Sequence, residues 1–308
     1  MLSEIFYWVF NMSITSAVTG LLVLSLGLIK KVPRRVAVVL WAIPFLRMTI
    51  PLGMNSPHSL MALLSKLSTK TVPKFVPVKF IGVDRDFSMM NSVGLADRYF
   101  PVTYKVNVLQ DVFRVASVIW LVGFVLILLM IIFVYLGTLR ELKGAVHLRD
   151  NIYLSQKVST PAVYGIIKPR IVLPLSYENK NIEMIVVHEK MHIRRGDNFF
   201  RLMATLIVSA HWFNPLCWVF LRRLLEDMEL ACDECVLSKL GEDRRKDYAL
   251  SLVEEKESAT VLASSFGGAK IRKRIENIMS FRRMTWFSSL VFTALITLIS
   301  YILLTNAG

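Results

Sequence analysis

Cysteine, histidine and acidic residues are the scarce types in this chain. Of 308 residues, three are cysteine, five are histidine and 23 are Asp or Glu, against 37 Lys or Arg. Cys232 and Cys235 form a single C-x-x-C with no second pair. They sit on an acidic stretch with helical periodicity, expected to face a reducing compartment, so they read as helix packing and not as a thiolate zinc site. Cys217 reads as a buried packing residue. No glycine-rich phosphate loop, repeat or low-complexity tract occurs, and no motif supports direct binding of nucleic acid. The shortage of acids leaves a net charge of +14. Its basic residues gather at the ends of apolar runs, which is a mark of membrane topology and of contact with anionic lipid.

Apolar residues are what the chain has in excess: 54% are hydrophobic and the mean hydropathy is +0.51. Four runs read as spans: Ile5 to Ile29, Val36 to about Leu52, Ala116 to Gly137, and Thr285 to Leu304. The first does not resemble a cleaved leader, because Glu4 precedes it and the basic cluster Lys30 to Arg35 follows it. The second is short, is broken by Pro44, and carries Arg47, whose long side chain is expected to snorkel to the headgroups. With four spans, Lys30 to Arg35, Arg140, Lys143, Arg272 to Arg274, Arg282 and Arg283 all fall on one side, which the positive-inside rule makes cytoplasmic. The expected plan is two spans within 1–52, an extracytoplasmic loop over 53–114, a third span over 115–137, a cytoplasmic domain over 138–284, a fourth span over 285–304 and an extracytoplasmic tail over 305–308. Both termini are then outside.

Inside the cytoplasmic stretch, residues 188–192 read His-Glu-Lys-Met-His. Two histidines four apart on a helix share a face, so both imidazoles reach one metal ion, and Glu189 between them is placed to act as general base. A catalytic zinc site needs a third ligand. Downstream, Glu229 and Asp233 are one helical turn apart. Glu229 completes a His2Glu set, and Asp233 is placed to orient a ligand imidazole. The competing reading is a solvated acidic helix face, since Glu226, Asp227 and Glu234 crowd the same stretch. The apolar run Phe199 to Leu221 is not read as a fifth span. It contains Arg201, His211 and Asn214-Pro215, and crossing there would separate Glu229 from the histidines. Two helices broken at Asn214-Pro215 are expected instead.

His188-Glu-x-x-His192, Arg194-Arg-Gly-Asp197, His211-Trp-Phe-Asn-Pro215 and Glu229-x-Ala-Cys-Asp-Glu234 together resemble the BlaR/MecR family of bacterial membrane zinc metallopeptidases. Thr160 to Gly165, Lys168 to Pro174, Tyr248-Ala and Arg274-Ile are similar to it as well. The resemblance runs from about residue 150 to 280 and is looser over the N-terminal spans. It implies a gluzincin-type core in which His188, His192 and Glu229 hold Zn²⁺ and Glu189 is the base. It implies a multi-pass protein of the bacterial cytoplasmic membrane that acts in signalling. Its expected partners are the lipid bilayer and a protein substrate, either a cytoplasmic transcriptional repressor or the chain itself, with a second copy as a candidate homodimer partner. Family transducers also carry an extracytoplasmic penicillin-binding domain. No Ser-x-x-Lys occurs in this sequence, so covalent β-lactam sensing is not expected of it. Two alternatives stay open: a quality-control protease of membrane proteins, and a zinc-stabilised receptor or scaffold. The intact Glu189 opposes the second.

Lesser features complete the reading. Asp197 and Asn214 are candidate supporting residues around the metal. His211 is either a donor near the zinc or a satisfied core histidine. Ile152-Tyr-Leu-Ser, Ala162-Val-Tyr-Gly and Arg170-Ile-Val-Leu, punctuated by Pro and Gly, read as short strands, whose free edge either accepts an extended substrate or is simply structural. Residues 259–270, rich in Ser and Gly, read as a flexible loop in which Ser265–Phe266 is the candidate self-cleavage bond. The expected fold class is a polytopic α-helical membrane protein with a cytoplasmic α+β gluzincin-like zinc metallopeptidase domain.

Overall fold

The computed structural model describes residues 2–27, 32–50, 52–56, 59–60, 87–89, 106–178, 182–241, 243–257 and 261–307. Most of the expected extracytoplasmic loop lies outside these residues. The chain forms two compact units. One gathers Met1–Leu128, Ala204–Leu224 and Thr285–Gly308, the other Leu129–Met203 and Leu225–Met284.

The elements run α1 (Leu2–Gly27), α2 (Arg34–Thr49), β1 (Leu52–Ser56), β2 (Phe87–Met89), α3 (Val106–Leu142), β3 (Val146–Arg149), β4 (Ile152–Ser155), β5 (Ala162–Tyr164), β6 (Arg170–Pro174), α4 (Glu183–Arg195), α5 (Asp197–Ala210), α6 (Pro215–Leu240), α7 (Arg245–Glu257), α8 (Val261–Ser280), α9 (Trp286–Leu304) and β7 (Asn306–Ala307).

Among the described residues, three helices are long and apolar enough to cross a membrane: Leu2–Gly27, Asp111–Arg140 and Trp286–Leu304. The second expected span is helical but short. With 16 residues, α2 is about 24 Å long at 1.5 Å per residue, below the roughly 30 Å of a hydrocarbon core. Arg47 does not snorkel. It is fully buried, and its Nε and Nη2 donate to the carbonyls of Leu303 and Thr305 at 2.8 and 2.7 Å. The guanidinium thus satisfies orphan carbonyls at the C-terminus of α9, work that water does for an exposed helix end.

Polar side chains on α1 are satisfied within the helix. Thr15, Ser16 and Thr19 are buried and donate to carbonyls three or four residues back, which is how hydroxyls are carried in an apolar setting. Gly20 is required by contact: a Cβ there would lie 2.2 Å from the Phe220 ring.

The run from Phe199 to Leu221 is broken as expected, with α5 ending at Ala210 and α6 starting at Pro215. Asn214 caps α6: its Oδ1 accepts from the Leu216 N–H at 3.0 Å, and Pro215 stands at the first helical position, where its missing N–H costs nothing.

In the second unit the three expected strands are present, and β3 precedes them. The sheet order is β3-β4-β6-β5. β4 and β6 run parallel in the middle, and β5 is antiparallel to β6 on one edge. Period-two alternation gives way to near-continuous burial on β6. Ile152, Leu154, Ile171 and Leu173 pack against Ile185 and Val186 of α4. The other side of α4, through Met184 and Met191, meets Cys232, Val236 and Leu237 of α6, Tyr248 and Leu252 of α7, and Ile278 of α8. Each such fully buried side chain stabilises the unit by about 1.5–3 kcal/mol, so α4 is clamped on two faces.

The stretch expected to be a flexible loop before the last span is different. α8 runs unbroken from Val261 to Ser280, which places Ser265 and Phe266 in helical backbone. Each glycine at 267 and 268 costs a helix about 1 kcal/mol. Helix propagation from the tertiary-anchored C-terminal half, where Ile278 is buried in the core, offsets that cost.

Candidate metal centre

The site is built on α4. Its first turn carries Glu183 and its last turn carries His192, Arg194 and Arg195, charges that complement the helix dipole. Gly196 ends the helix with φ +68°, a left-handed conformation that glycine adopts without strain. α5 starts at once, and the tight turn folds Asp197 back over α4.

His188 and His192 are both buried, and their Nε2 atoms lie 3.1 Å apart. Their Nδ1 atoms face outward onto polar partners. His192 Nδ1 donates to Asp197 Oδ2 at 2.6 Å. His188 Nδ1 donates to the Tyr248 hydroxyl at 2.7 Å, and that hydroxyl donates to Asp233 Oδ1 at 2.6 Å. With both Nδ1–H groups committed, two Nε2 lone pairs converge. Such a pair at 3.1 Å needs a cation or proton between its nitrogens. A divalent metal meets that need, and hydrogen-bonded Nδ1 atoms are the usual support of ligating imidazoles.

Glu229 on α6 supplies the carboxylate. Its Oε2 is 3.7 Å from His188 Nε2 and its Oε1 is 3.7 Å from His192 Nε2. Arg201 on α5 donates to Oε1 of the same carboxylate. The donor chemistry, two imidazoles and one carboxylate, fits zinc. Burial alone would disfavour charge on His188, but the Cys232 sulfur and the Glu229 carboxylate outweigh it and raise the imidazole to about 10. Burial also opposes charge on His192, and there Asp197 leads the groups that raise it to about 12. Against the same opposing burial, the two histidines hold Glu229 well below the usual carboxylate range.

Glu189 is 7% exposed and makes no hydrogen bond or ion pair among the described residues. A carboxylate this buried is normally committed to a partner. Of the candidate supporting residues, Asp197 bonds the His192 imidazole directly and Asp233 reaches that of His188 through Tyr248.

His211 and Asn214 belong to the other compact unit. His211 Nε2 donates to the Met48 carbonyl at 3.0 Å. Asn214 caps α6 and donates to the Ser13 hydroxyl at 2.8 Å. Their contacts are those of a core histidine and a helix cap.

Three residues at the centre escaped the sequence reading. Cys232 is fully buried, and its sulfur, His188 and His192 place one ligand atom each within 4.8 Å of one another. It packs in the core, as expected, but its sulfur also lies beside the two imidazoles. Its spacing of three from Glu229 puts both on one helix face, and this was the available signal. Tyr248 and Arg274 come from 60 and 86 residues away; the family-like runs Tyr248-Ala and Arg274-Ile flagged them without giving a role.

Comparison with known proteins identifies the family. The chain is 26% identical over 167 residues to the regulatory protein BlaR1 of Bacillus licheniformis, covering 49% of this chain and 28% of that protein. It is 30% identical over 108 residues to the methicillin resistance mecR1 protein of Staphylococcus aureus, covering 34% of this chain and 18% of that protein. It is 24% identical over 143 residues to BlaR1 of Staphylococcus aureus, covering 42% and 24%. The matched region is thus less than a third of each relative's length. The BlaR1 peptidase M56 family model matches residues 7–279, most of the chain, and the chain therefore belongs to that family of metallopeptidases.

Proposed function

We propose that this chain is a zinc endopeptidase of the gluzincin type, embedded in the cytoplasmic membrane with its peptidase unit on the cytoplasmic side. The reading rests on one observation: His188 and His192 present Nε2 atoms 3.1 Å apart, with the Glu229 carboxylate 3.7 Å from each. His188, His192 and Glu229 would hold the metal. Bound there, zinc supplies a Lewis acid for the scissile carbonyl and for an attacking water. Glu189 accepts the proton of that water and returns it to the leaving amine. Asp197, and Tyr248 with Asp233, keep the two imidazoles in the tautomer that leaves Nε2 free to bind.

The substrate class we infer is a cytoplasmic regulator of the repressor type, the chain itself being a second candidate. The names regulatory protein and methicillin resistance protein carried by the relatives support a signalling role. Self-cleavage at Ser265–Phe266 would require the first turns of α8 to unwind, because a helical bond is not presented in extended form.

The test is mass spectrometry of fragments made by wild type and by Glu189→Gln in the same membranes. Glutamine keeps the size and hydrogen bonding of Glu189 but cannot take the proton. Zinc content should be equal and specific fragments should appear with wild type only. Equal cleavage by both proteins overturns the role of Glu189.

A further inference from the structure

Asp233 is 0% exposed and is the hub of the contacts behind His188. A buried carboxylate without a counter-charge is strongly destabilising. The counter-charge comes from α8: Arg274 Nε donates to Asp233 Oδ2 at 2.9 Å, and its Nη2 donates to Oδ1 at 2.7 Å. This two-pronged pairing fixes the plane of the carboxylate as well as its charge. The same Oδ1 accepts from the Tyr248 hydroxyl, which accepts from His188 Nδ1. Arg274 Nη2 also lies 3.4 Å from His188 Nε2, the metal-facing nitrogen. The guanidinium therefore touches the centre from behind and from the rim.

α8 is held on α6 in a defined register. Lys273 Nζ pairs with Glu226 Oε2 at 3.3 Å, Asn277 Nδ2 donates to the Leu230 carbonyl at 3.3 Å, and Ile278 is buried in the core. A slide of α8 by a single residue moves Arg274 by about 1.5 Å. That shift lengthens both contacts to Asp233 and spoils their two-pronged alignment. Only residues 281–285 separate α8 from α9, an apolar helix long enough to cross a membrane.

We propose that Arg274 is a positioning residue for the metal centre. By fixing both oxygens of Asp233 it sets, through Tyr248, the orientation of His188, so the register of α8 on α6 controls how tightly the centre holds its metal. The proposal rests on the metal-centre reading above and adds to it the point at which that centre is adjusted.

The experiment uses the full chain in detergent micelles, with metal affinity measured by chelator competition and ligand geometry by the visible spectrum of the Co²⁺-substituted protein. Arg274→Gln should bind metal 10- to 100-fold more weakly than wild type, the range expected for loss of support behind a ligand, with a shifted Co²⁺ spectrum. Arg274→Lys, which keeps the charge but not the fork, should fall between them. Arg272→Gln removes a neighbouring cation of α8 that pairs with Glu276 on the same helix and does not touch Asp233, and should change affinity less than about threefold. If Arg274→Gln does not fold, the Arg274→Gln/Asp233→Asn double variant removes both buried charges and carries the same expectation. Equal metal affinity in wild type and in Arg274→Gln, or in the double variant where that is used, overturns the positioning role alone. A wild type that binds no metal overturns the metal centre and the proposal with it.

Discussion

Tyr248→Phe isolates one hydroxyl. The ring is fully buried in the core shared by α4, α6 and α8, so phenylalanine keeps the packing and removes only the oxygen. Two hydrogen bonds go with it, at 2.7 Å from His188 and at 2.6 Å to Asp233. The direct separation between His188 Nδ1 and Asp233 Oδ1 is 3.4 Å, so restoring a hydrogen bond needs a closure of roughly half an ångström. Arg274 holds Asp233 from the other side and resists that movement. An unsatisfied buried donor and acceptor cost about 1–3 kcal/mol, and about 1.4 kcal/mol is a factor of ten in affinity. Zinc binding in detergent micelles at pH 7, measured against a chromophoric chelator, should weaken by about tenfold or more. The melting temperature should fall by only a few degrees. A Phe variant that matches wild-type affinity within about threefold would show that the hydroxyl does not orient His188, and the hydrogen-bonded path from Asp233 would lose its meaning.

Three further outcomes test the remaining geometry. Glu229→Ala should lose most bound zinc, because two ligands leave the site incomplete, whereas Cys232→Ser should keep it; the reverse pattern would make Cys232 the third ligand. Metal uptake should grow stronger with rising pH. His188 and His192 are both shifted toward the protonated form, to about 10 and about 12, so the proton held between their Nε2 atoms must leave as metal enters, and affinity should rise by about tenfold per pH unit near neutrality; a flat profile between pH 6 and 8 contradicts this. Accessibility labelling should place residue 80 outside and residues 32, 150 and 245 inside. Finding 32 and 80 on one side would show that α2 does not cross, and finding 150 and 245 on opposite sides would remove the proposed topology.

What the sequence made legible was whatever depends on short-range periodicity. Two histidines four apart, three β-branched runs between prolines and glycines, and an Asn-Pro break are local patterns, and each corresponds to an element in the structure. Snorkelling and burial of Arg47 look alike in sequence. The difference is a helix end that arrives from residues 303–305. Ser and Gly at 264–268 suggested a loop, yet a helix anchored at Arg274, Asn277 and Ile278 propagates through them. Tyr248 and Arg274 were out of reach for the same reason: a side chain's place behind a ligand depends on how α7 and α8 pack, and no local period encodes that. Cys232 was half legible, since its packing was expected while its position on the Glu229 face went unused.

The turn at Gly196 has a consequence for how the centre comes into being. It lets Asp197 reach His192 across five positions of chain, so one imidazole is oriented by its immediate neighbourhood. The other depends on contacts 15 to 86 residues apart, drawn from four helices. Short loops close early and long ones late. A nascent chain would therefore set His192 as soon as α4 and the start of α5 exist, and would complete His188 only when α8 docks. Until then a captured ion has one firm ligand and is easily exchanged, so correct metallation becomes a late event in maturation, tied to completion of the peptidase unit.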